Sequence, residues 1–529
     1  MIRISQVKMP VDHTRQDLYE KAARMLRISP ESIRSLTIRR QSCDARKKDQ
    51  IHYVYTLDVE TDREEQTVKR ARSPQICLAK DHPYVFPGGG KEVLRVPPVI
   101  IGSGPAGLFC GLFLAQAGFC PVILERGDAV EQRRQKVEHF WKTGVLDTGS
   151  NVQFGEGGAG TFSDGKLNTL VKDPLGRQQQ VFRILAEYGA DPSILYSYKP
   201  HVGTDVLGEV VTGIRRRIEE LGGTVRFGAQ VTDLLVENGA AAAVEINGRE
   251  RMPVQVVIPA IGHSARDTFA MFLERGIPME PKAFAVGLRI QHPQAMINES
   301  QYGKTFRDAL GPAPYKVTAR SSLGRGVYSF CMCPGGYVVN ASSEPEMLAV
   351  NGMSYHDRGG RNANSALIVT VTPEDFGSGV LAGVEYQRKL ERLAYRLGNG
   401  KIPIQLYGDF RENRESRQLG DVEPEFKGAW AFANLQELLP DDLSRSLLEG
   451  MEQFETKIRG FSRYDAILAG VESRTSSPVR MPRDERLESA IQGVFPCGEG
   501  AGYAGGITSA AMDGMRAAEE ISRRFCTAG

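Results

Sequence analysis

A chain of 529 residues is longer than one ordinary domain and points to two or three. Its 41% hydrophobic and 25% charged residues fit a globular protein, with no run of eighteen apolar residues to span a membrane and no apolar core near the start to serve as a secretory leader. A net charge of +2 excludes a uniformly polyanionic or polycationic surface, although the first 95 residues hold 19 Lys+Arg against 13 Asp+Glu, an excess of six.

That basic segment, 1–95, reads as a small α+β domain. Thr14-Arg-Gln-Asp17 has the form of a capping box, opening a helix with Leu18, Ala22, Met25 and Leu26 on one face. Tyr53, Tyr55, Leu57 and Val59 alternate as in a half-buried strand, and the strand–helix–strand–strand order is compatible with a ferredoxin-like module. The Gly/Pro-rich "FPGGGKEVLRVPP" marks the first boundary.

Next, Val99–Ile101 runs directly into Gly102-Ser-Gly104-Pro-Ala-Gly107, a helical stretch follows from Pro105 to about Ala117, and a second apolar run ends at Glu125. This is a complete βαβ dinucleotide unit. Gly102 permits the tight turn, Gly104 lets backbone approach a pyrophosphate, and Gly107 allows close helix packing. Glu125 is placed to accept ribose hydroxyls and to repel a 2′-phosphate. A second match, Gly155-Glu-Gly157-Gly-Ala-Gly160, lacks the preceding strand, the following helix and the acidic strand end. We expect it to be a loop folded against a ligand held elsewhere, because Thr161, Ser163, Asp164, Lys166 and Asn168 follow it. Residues 205–221 read as an Arg-rich helix, 224–248 as strand and hairpin, and Val254–Gly262 as an apolar strand ending in glycine. From 276 to 465 the pattern becomes strands, aromatics and polar loops, with helices near 384–397 and 441–456. The final seventy residues return to a strand at Val494–Cys497, a glycine loop with Gly498-Glu499, and a helix from about Ile507.

The eight cysteines are scattered, with no C-x-x-C pair, which favours a reducing, cytoplasmic setting over a disulfide framework. They are also too dispersed for an iron–sulfur cluster. Cys331-Met-Cys333 is read with its sulfurs on opposite faces of a strand, so a redox disulfide is not expected there and pocket-lining thiols are. No metal site is read.

The fingerprint with Glu125, together with "GGAGTFSDGKLNT", "VIPAIGHSARDTF", "FCMCPGG", "NGMSYHDRGGRNANSA" and "CGEGAGYAGGI", resembles a family of bacterial FAD-dependent dehydrogenases of unassigned substrate, within the glutathione-reductase-type flavoproteins. The resemblance implies an α/β fold: a discontinuous, Rossmann-like FAD-binding domain (96–275 and 466–529) with an α+β substrate domain inserted at 276–465. The cofactor-binding residues expected are Gly102, Gly104, Pro105, Ala106, Gly107, Glu125, Arg126, Gly157, Gly158, Ser163, Lys166, Val231, Gly262, Gly498, Glu499, Gly506 and Ile507. Lys166, Arg289 and His263 are the catalytic candidates, and His292 a further residue near the entry to the inserted domain. The activity implied is oxidation or reduction of a small organic molecule, with NADH or NADPH as a transient donor or a protein as electron partner. The alternative is an FAD-binding protein that acts on RNA or a protein through the basic first domain; interleaved stacking aromatics are missing there, which weighs against nucleic acid.

Overall fold

The structure is a computed structural model that describes residues 1–80, 83–306 and 308–527. The expected first and last domains also include 81–82 and 528–529, and the inserted one 307, which lie outside the described residues.

The first unit runs β1 (Ile2–Pro10), α1 (Arg15–Leu26), β2 (Ser35–Asp44), β3 (His52–Glu60), α2 (Glu64–Ala71) and β4 (Ile76–Leu78), in the antiparallel order β2-β3-β1-β4. This is the βαββαβ connectivity of a ferredoxin-like unit. The Thr14 hydroxyl accepts from the Asp17 amide while the Asp17 carboxylate accepts from Thr14, closing the capping box. Leu18, Ala22 and Leu26 are buried with Leu57 and Val59, and Met25 packs at the rim. The edge strand β2 is covered, because the Gln41 amide donates to the Tyr196 carbonyl (2.7 Å) and the Tyr198 amide to the Gln41 carbonyl (2.8 Å). The connector is tied down as well: Glu92–Leu94 pairs in parallel with Phe525–Thr527 near the end of the chain.

The second unit is a parallel, Rossmann-like sheet. It contains β5 (Val99–Ile101), α3 (Pro105–Gln116), β6 (Val122–Leu124), α4 (Val130–Thr143), α5 (Thr204–Glu220), β7 (Thr224–Arg226) and β8 (Val257–Pro259), with strand order β8-β5-β6-β7. α3 is apolar all round and ten of its residues are buried, so it must lie inside. Residues 494–497 run beside β8, with the Phe495 amide donating to the Val257 carbonyl (2.8 Å) and Cys497 to Pro259 (3.0 Å). The strand expected there does not form as a regular element, because Pro259 of β8 has no N–H to return to the Phe495 carbonyl.

A seven-stranded sheet forms the third unit, including β9 (Phe284–Pro293), β10 (Gly326–Cys333) and β11 (Asn362–Val371), with α6 (Ala382–Leu397) packed against it. Its member β12 (Ile467–Glu472) pairs with β9, so this sheet takes in residues beyond the expected limit of 465. Nine of the ten residues of β9 are buried, as are nine of β11, so these strands run through the interior with both faces covered. The chain returns to the parallel sheet and ends in α7 (Ile507–Arg524), which packs on α3. Among the described residues, no helix is long and apolar enough to cross a membrane.

Candidate functional site

The site begins at the turn between β5 and α3. A Cβ on Gly107 would lie 1.9 Å from the Gly102 carbonyl oxygen, so the helix can approach the strand only with hydrogen there. Gly104 is different. Its backbone is ordinary (φ −69°, ψ −178°), and a Cβ would meet nothing nearer than the Gly158 Cα at 3.9 Å. α3 has Pro105 at its first position and no side-chain cap, leaving first-turn N–H groups and the positive helix end directed outward.

Glu125, at the end of β6, is buried and fully engaged. Oε2 accepts from the Ser103 amide (2.9 Å) and hydroxyl (2.8 Å), and Oε1 from the Gly127 (2.9 Å) and Gly155 (3.0 Å) amides. A carboxylate offers about four acceptor positions. A ribose hydroxyl therefore reaches Oε2 only by displacing the rotatable Ser103 hydroxyl, a tighter arrangement than the sequence led us to expect.

The second glycine-rich stretch is not a strand, and the only helix it opens is a single 3-10 turn, Ala159–Phe162, after Gly158. It wraps around Arg133 of α4, whose side chain is fully buried. That guanidinium donates to the carbonyls of Asn151 (2.8 Å), Val152 (3.0 Å), Gly155 (3.2 Å), Glu156 (2.6 Å) and Gly158 (2.9 Å). Gly155 sits at φ +121°, and a Cβ there would lie 2.4 Å from the Arg133 Cδ. The Gly157 amide donates to the Ser103 carbonyl (3.0 Å), pinning the loop to the fingerprint turn. Burial pulls the Arg133 guanidinium down to about 10, so it stays charged at neutral pH. Replacing it with Met leaves five carbonyls without this donor, with an expected cost of about 3 kcal/mol or more. Limited proteolysis should then cut within 150–160 in Arg133→Met and spare the wild type.

Turn and loop together wall a cavity of about 970 Å³ that reaches the underside of the seven-stranded sheet. Of the expected cofactor residues, Gly102, Gly104, Pro105, Ala106, Glu125, Arg126, Gly158, Ser163, Lys166, Val231, Gly262, Glu499, Gly506 and Ile507 line it. Gly107, Gly157 and Gly498 do not; they shape the turns behind the wall. The α7 N-terminus, also without a side-chain cap, opens onto the same space. Gln153, Phe154, Tyr315, Asn351, Glu472 and Arg474 line it too and were not anticipated.

The catalytic candidates separate. Lys166 is on the wall, but its Nζ lies 3.2 Å from Asp164 Oδ2 and donates to the Met332 carbonyl. Burial alone would raise the Asp164 carboxyl, yet Lys166 and Arg358, which takes both of its oxygens, hold it below the usual range. The His263 Nδ1 lies 3.4 Å from Glu499 Oε2 at the wall. Arg289 is not on the wall. It is fully buried beneath it, donating to Glu472 Oε2 (2.9 Å), Asn364 Oδ1 (2.8 Å) and the Cys331 carbonyl (2.6 Å). His292 is buried away from the cavity, its Nε2 2.7 Å from the Phe461 carbonyl oxygen.

Cys331 and Cys333 both line the cavity, which corrects the expected opposite faces, because residues two apart on a strand share a face. The β10–β11 register shifts between Phe330 and Cys333, and Cys331 sits at φ +41° within this bulge. Burial raises the Cys333 thiol, which keeps it protonated near neutrality, whereas Cys331 is exposed. Glu472 is the unforeseen acid. Burial raises its carboxyl above the ordinary range against the pull of Arg289, which bonds only one of its oxygens.

Residues 283–475 match the family described as "FAD-dependent protein, C-terminal domain-like", and residues 1–60 match a domain of unknown function. An uncharacterized protein of Clostridium beijerinckii is 46% identical over 530 residues, covering 99% of each chain. Among solved structures, quinol fumarate reductase from E. coli is similar at a TM-score of 0.36 and 11% identity, over 82% of this chain and 71% of that one. L-proline dehydrogenase from P. horikoshii is similar at 0.34 and 12% identity, over 81% and 94%.

Proposed function

We propose that this chain, which belongs to the family of the Clostridium beijerinckii protein and carries the FAD-dependent protein C-terminal domain, is an FAD-dependent oxidoreductase acting on a small organic substrate. The observation that carries the reading is one cavity running from two uncapped helix N-termini to a buried carboxyl and two thiols under the inserted sheet. The residues fit the cofactor: open space beside Gly104, free N–H groups at α3 for a pyrophosphate, and a carboxylate rather than a cation at the end of β6. Flavin would supply the two-electron chemistry. The α7 N-terminus would favour negative charge at the pyrimidine edge of the isoalloxazine ring, as in glutathione-reductase-type proteins. Gly158 and Ser163 would close over the ligand from the loop held by Arg133. Residues 1–95, 96–275 with 466–529, and 276–465 are proposed as the domains, with the third extended to about 475. A reducing, cytoplasmic setting suits the free thiols.

Glu472 is our candidate for proton transfer, since one oxygen is fixed by Arg289 and the carboxyl faces the cavity. With its pKa raised, it donates a proton below that pKa and accepts one above it. Glu472→Gln should therefore remove one limb of the pH–rate profile of flavin reduction and slow it by about 10²–10⁴-fold. An unchanged profile would transfer the role to His263 or Lys166. The function itself is tested by the visible spectrum of the purified protein under anaerobic conditions, before and after NADH or NADPH. Bleaching of a flavin band assigns nicotinamide as donor, and persistence of the band moves the search to organic donors or a protein electron partner. A colourless protein that takes up no added FAD overturns the proposal.

A further inference from the structure

We propose a second site, for a small polyanion bearing two or more phosphate groups, in the cleft between the ferredoxin-like unit and the parallel-sheet unit. The cleft measures about 1010 Å³ and is walled by Arg3 of β1, Arg15 of α1, Arg39 and Arg40 of β2 and, across the gap, Arg183. No Asp or Glu is among the described residues that line it. Beneath the surface, Asp58 is 1% exposed and serves two guanidiniums at once. Arg3 grips it with Nε and Nη2 at 2.8 Å each, and Arg39 Nε approaches to 2.7 Å. One buried carboxylate thus fixes the direction of two arginines.

Arg15, Arg40 and Arg183 are exposed and make no ion pair among the described residues. Arg40 instead rests over the Tyr198 ring at 5.1 Å. Like charges held together on two separately folded units repel, and an anion between them relieves that repulsion while bridging the units. Arginines on both walls suit tetrahedral phosphates, whose several oxygens accept paired N–H bonds from more than one direction. The cleft favours a small ligand over RNA, because two of its tyrosines are already engaged. Tyr55 is 3% exposed, and Tyr84 lies edge-on to Phe113 with its hydroxyl on Glu519. The occupant would also sit close to the first cavity. Tyr196 lines the cleft, Tyr198 lines the cavity, and the backbone of Gln41 is bonded to both.

Calorimetric titration of the full chain with pyrophosphate, in excess FAD so that the glycine turn is filled, tests this. One saturable site per chain is expected, weakened about tenfold by Arg15→Ala and again by Arg183→Ala, with an unchanged visible spectrum. No saturable binding overturns the proposal, as does equal binding by wild type and the double variant. A single-stranded RNA that binds more tightly than pyrophosphate, and loses affinity in the same variants, would replace the small ligand with nucleic acid.

Discussion

Gly104→Val is expected to purify as a folded protein without flavin. The substitution costs little in the fold: the backbone at 104 is extended, a Cβ has no neighbour inside 3.9 Å, and the residue precedes the helix. What the valine fills is the space beside the α3 N-terminus, where backbone must come close to a pyrophosphate. Loss of about 2.7 kcal/mol of binding weakens FAD a hundredfold, enough to strip it during purification. The check is the ratio of flavin to protein absorbance alongside the thermal transition with and without added FAD. The wild-type transition should rise with FAD and that of Gly104→Val should not. Gly107→Ala provides the contrast, because a Cβ 1.9 Å from the Gly102 oxygen moves the helix itself and lowers the transition with or without ligand. Glu125→Ala belongs with Gly107→Ala, since it orphans four protein donors. A yellow Gly104→Val with full flavin content would show that no dinucleotide lies along this turn.

The βαβ unit was legible because every local signal agreed: an apolar strand, glycines with fixed steric jobs, an all-apolar helix and a terminal carboxylate. Arg289 was misplaced because β9 is buried on both faces, so its period of two does not tell which side meets a ligand. Glu472 carried no local mark at all. Its place comes from the β9–β12 pairing that sets it beside Arg289, a contact 183 residues apart in sequence. Arg133 did leave a trace. Val130, Arg133, Val137 and Phe140 share the buried stripe of α4, whereas Arg134 points to solvent. An arginine inside an apolar stripe is a signal for a buried acceptor set, and the glycine-rich loop twenty residues on supplies it.

Glu391→Leu is expected to cost about 3–5 kcal/mol and to loosen the join between the parallel-sheet and inserted units. Glu391 of α6 is fully buried and takes both oxygens to two arginines. Arg266 bonds Oε1 (2.6 Å) and Oε2 (2.9 Å), while Arg474 bonds the same pair at 2.9 and 2.7 Å. Arg266 opens a helix of the parallel-sheet unit, and Arg474 follows β12 and lines the cavity, so one carboxylate ties three segments at the edge of the site. Leucine fills the volume but leaves two guanidiniums buried with too little counter-charge, which is the expensive half of breaking a buried pair. Combining it with Arg266→Met should recover part of the loss, and calorimetry of the two singles and the double measures the coupling. Burial alone would raise the Glu391 carboxyl, yet Arg474 and Arg266 hold it well below its ordinary value of 4.5. A depressed folded-state pKa places this stabilisation above pH 4.5 and removes it as the pH falls further. Wild type should therefore lose stability more steeply in acid than Glu391→Leu does. Parallel acid unfolding curves would mean that the clamp adds nothing, and that packing of α6 alone holds the join.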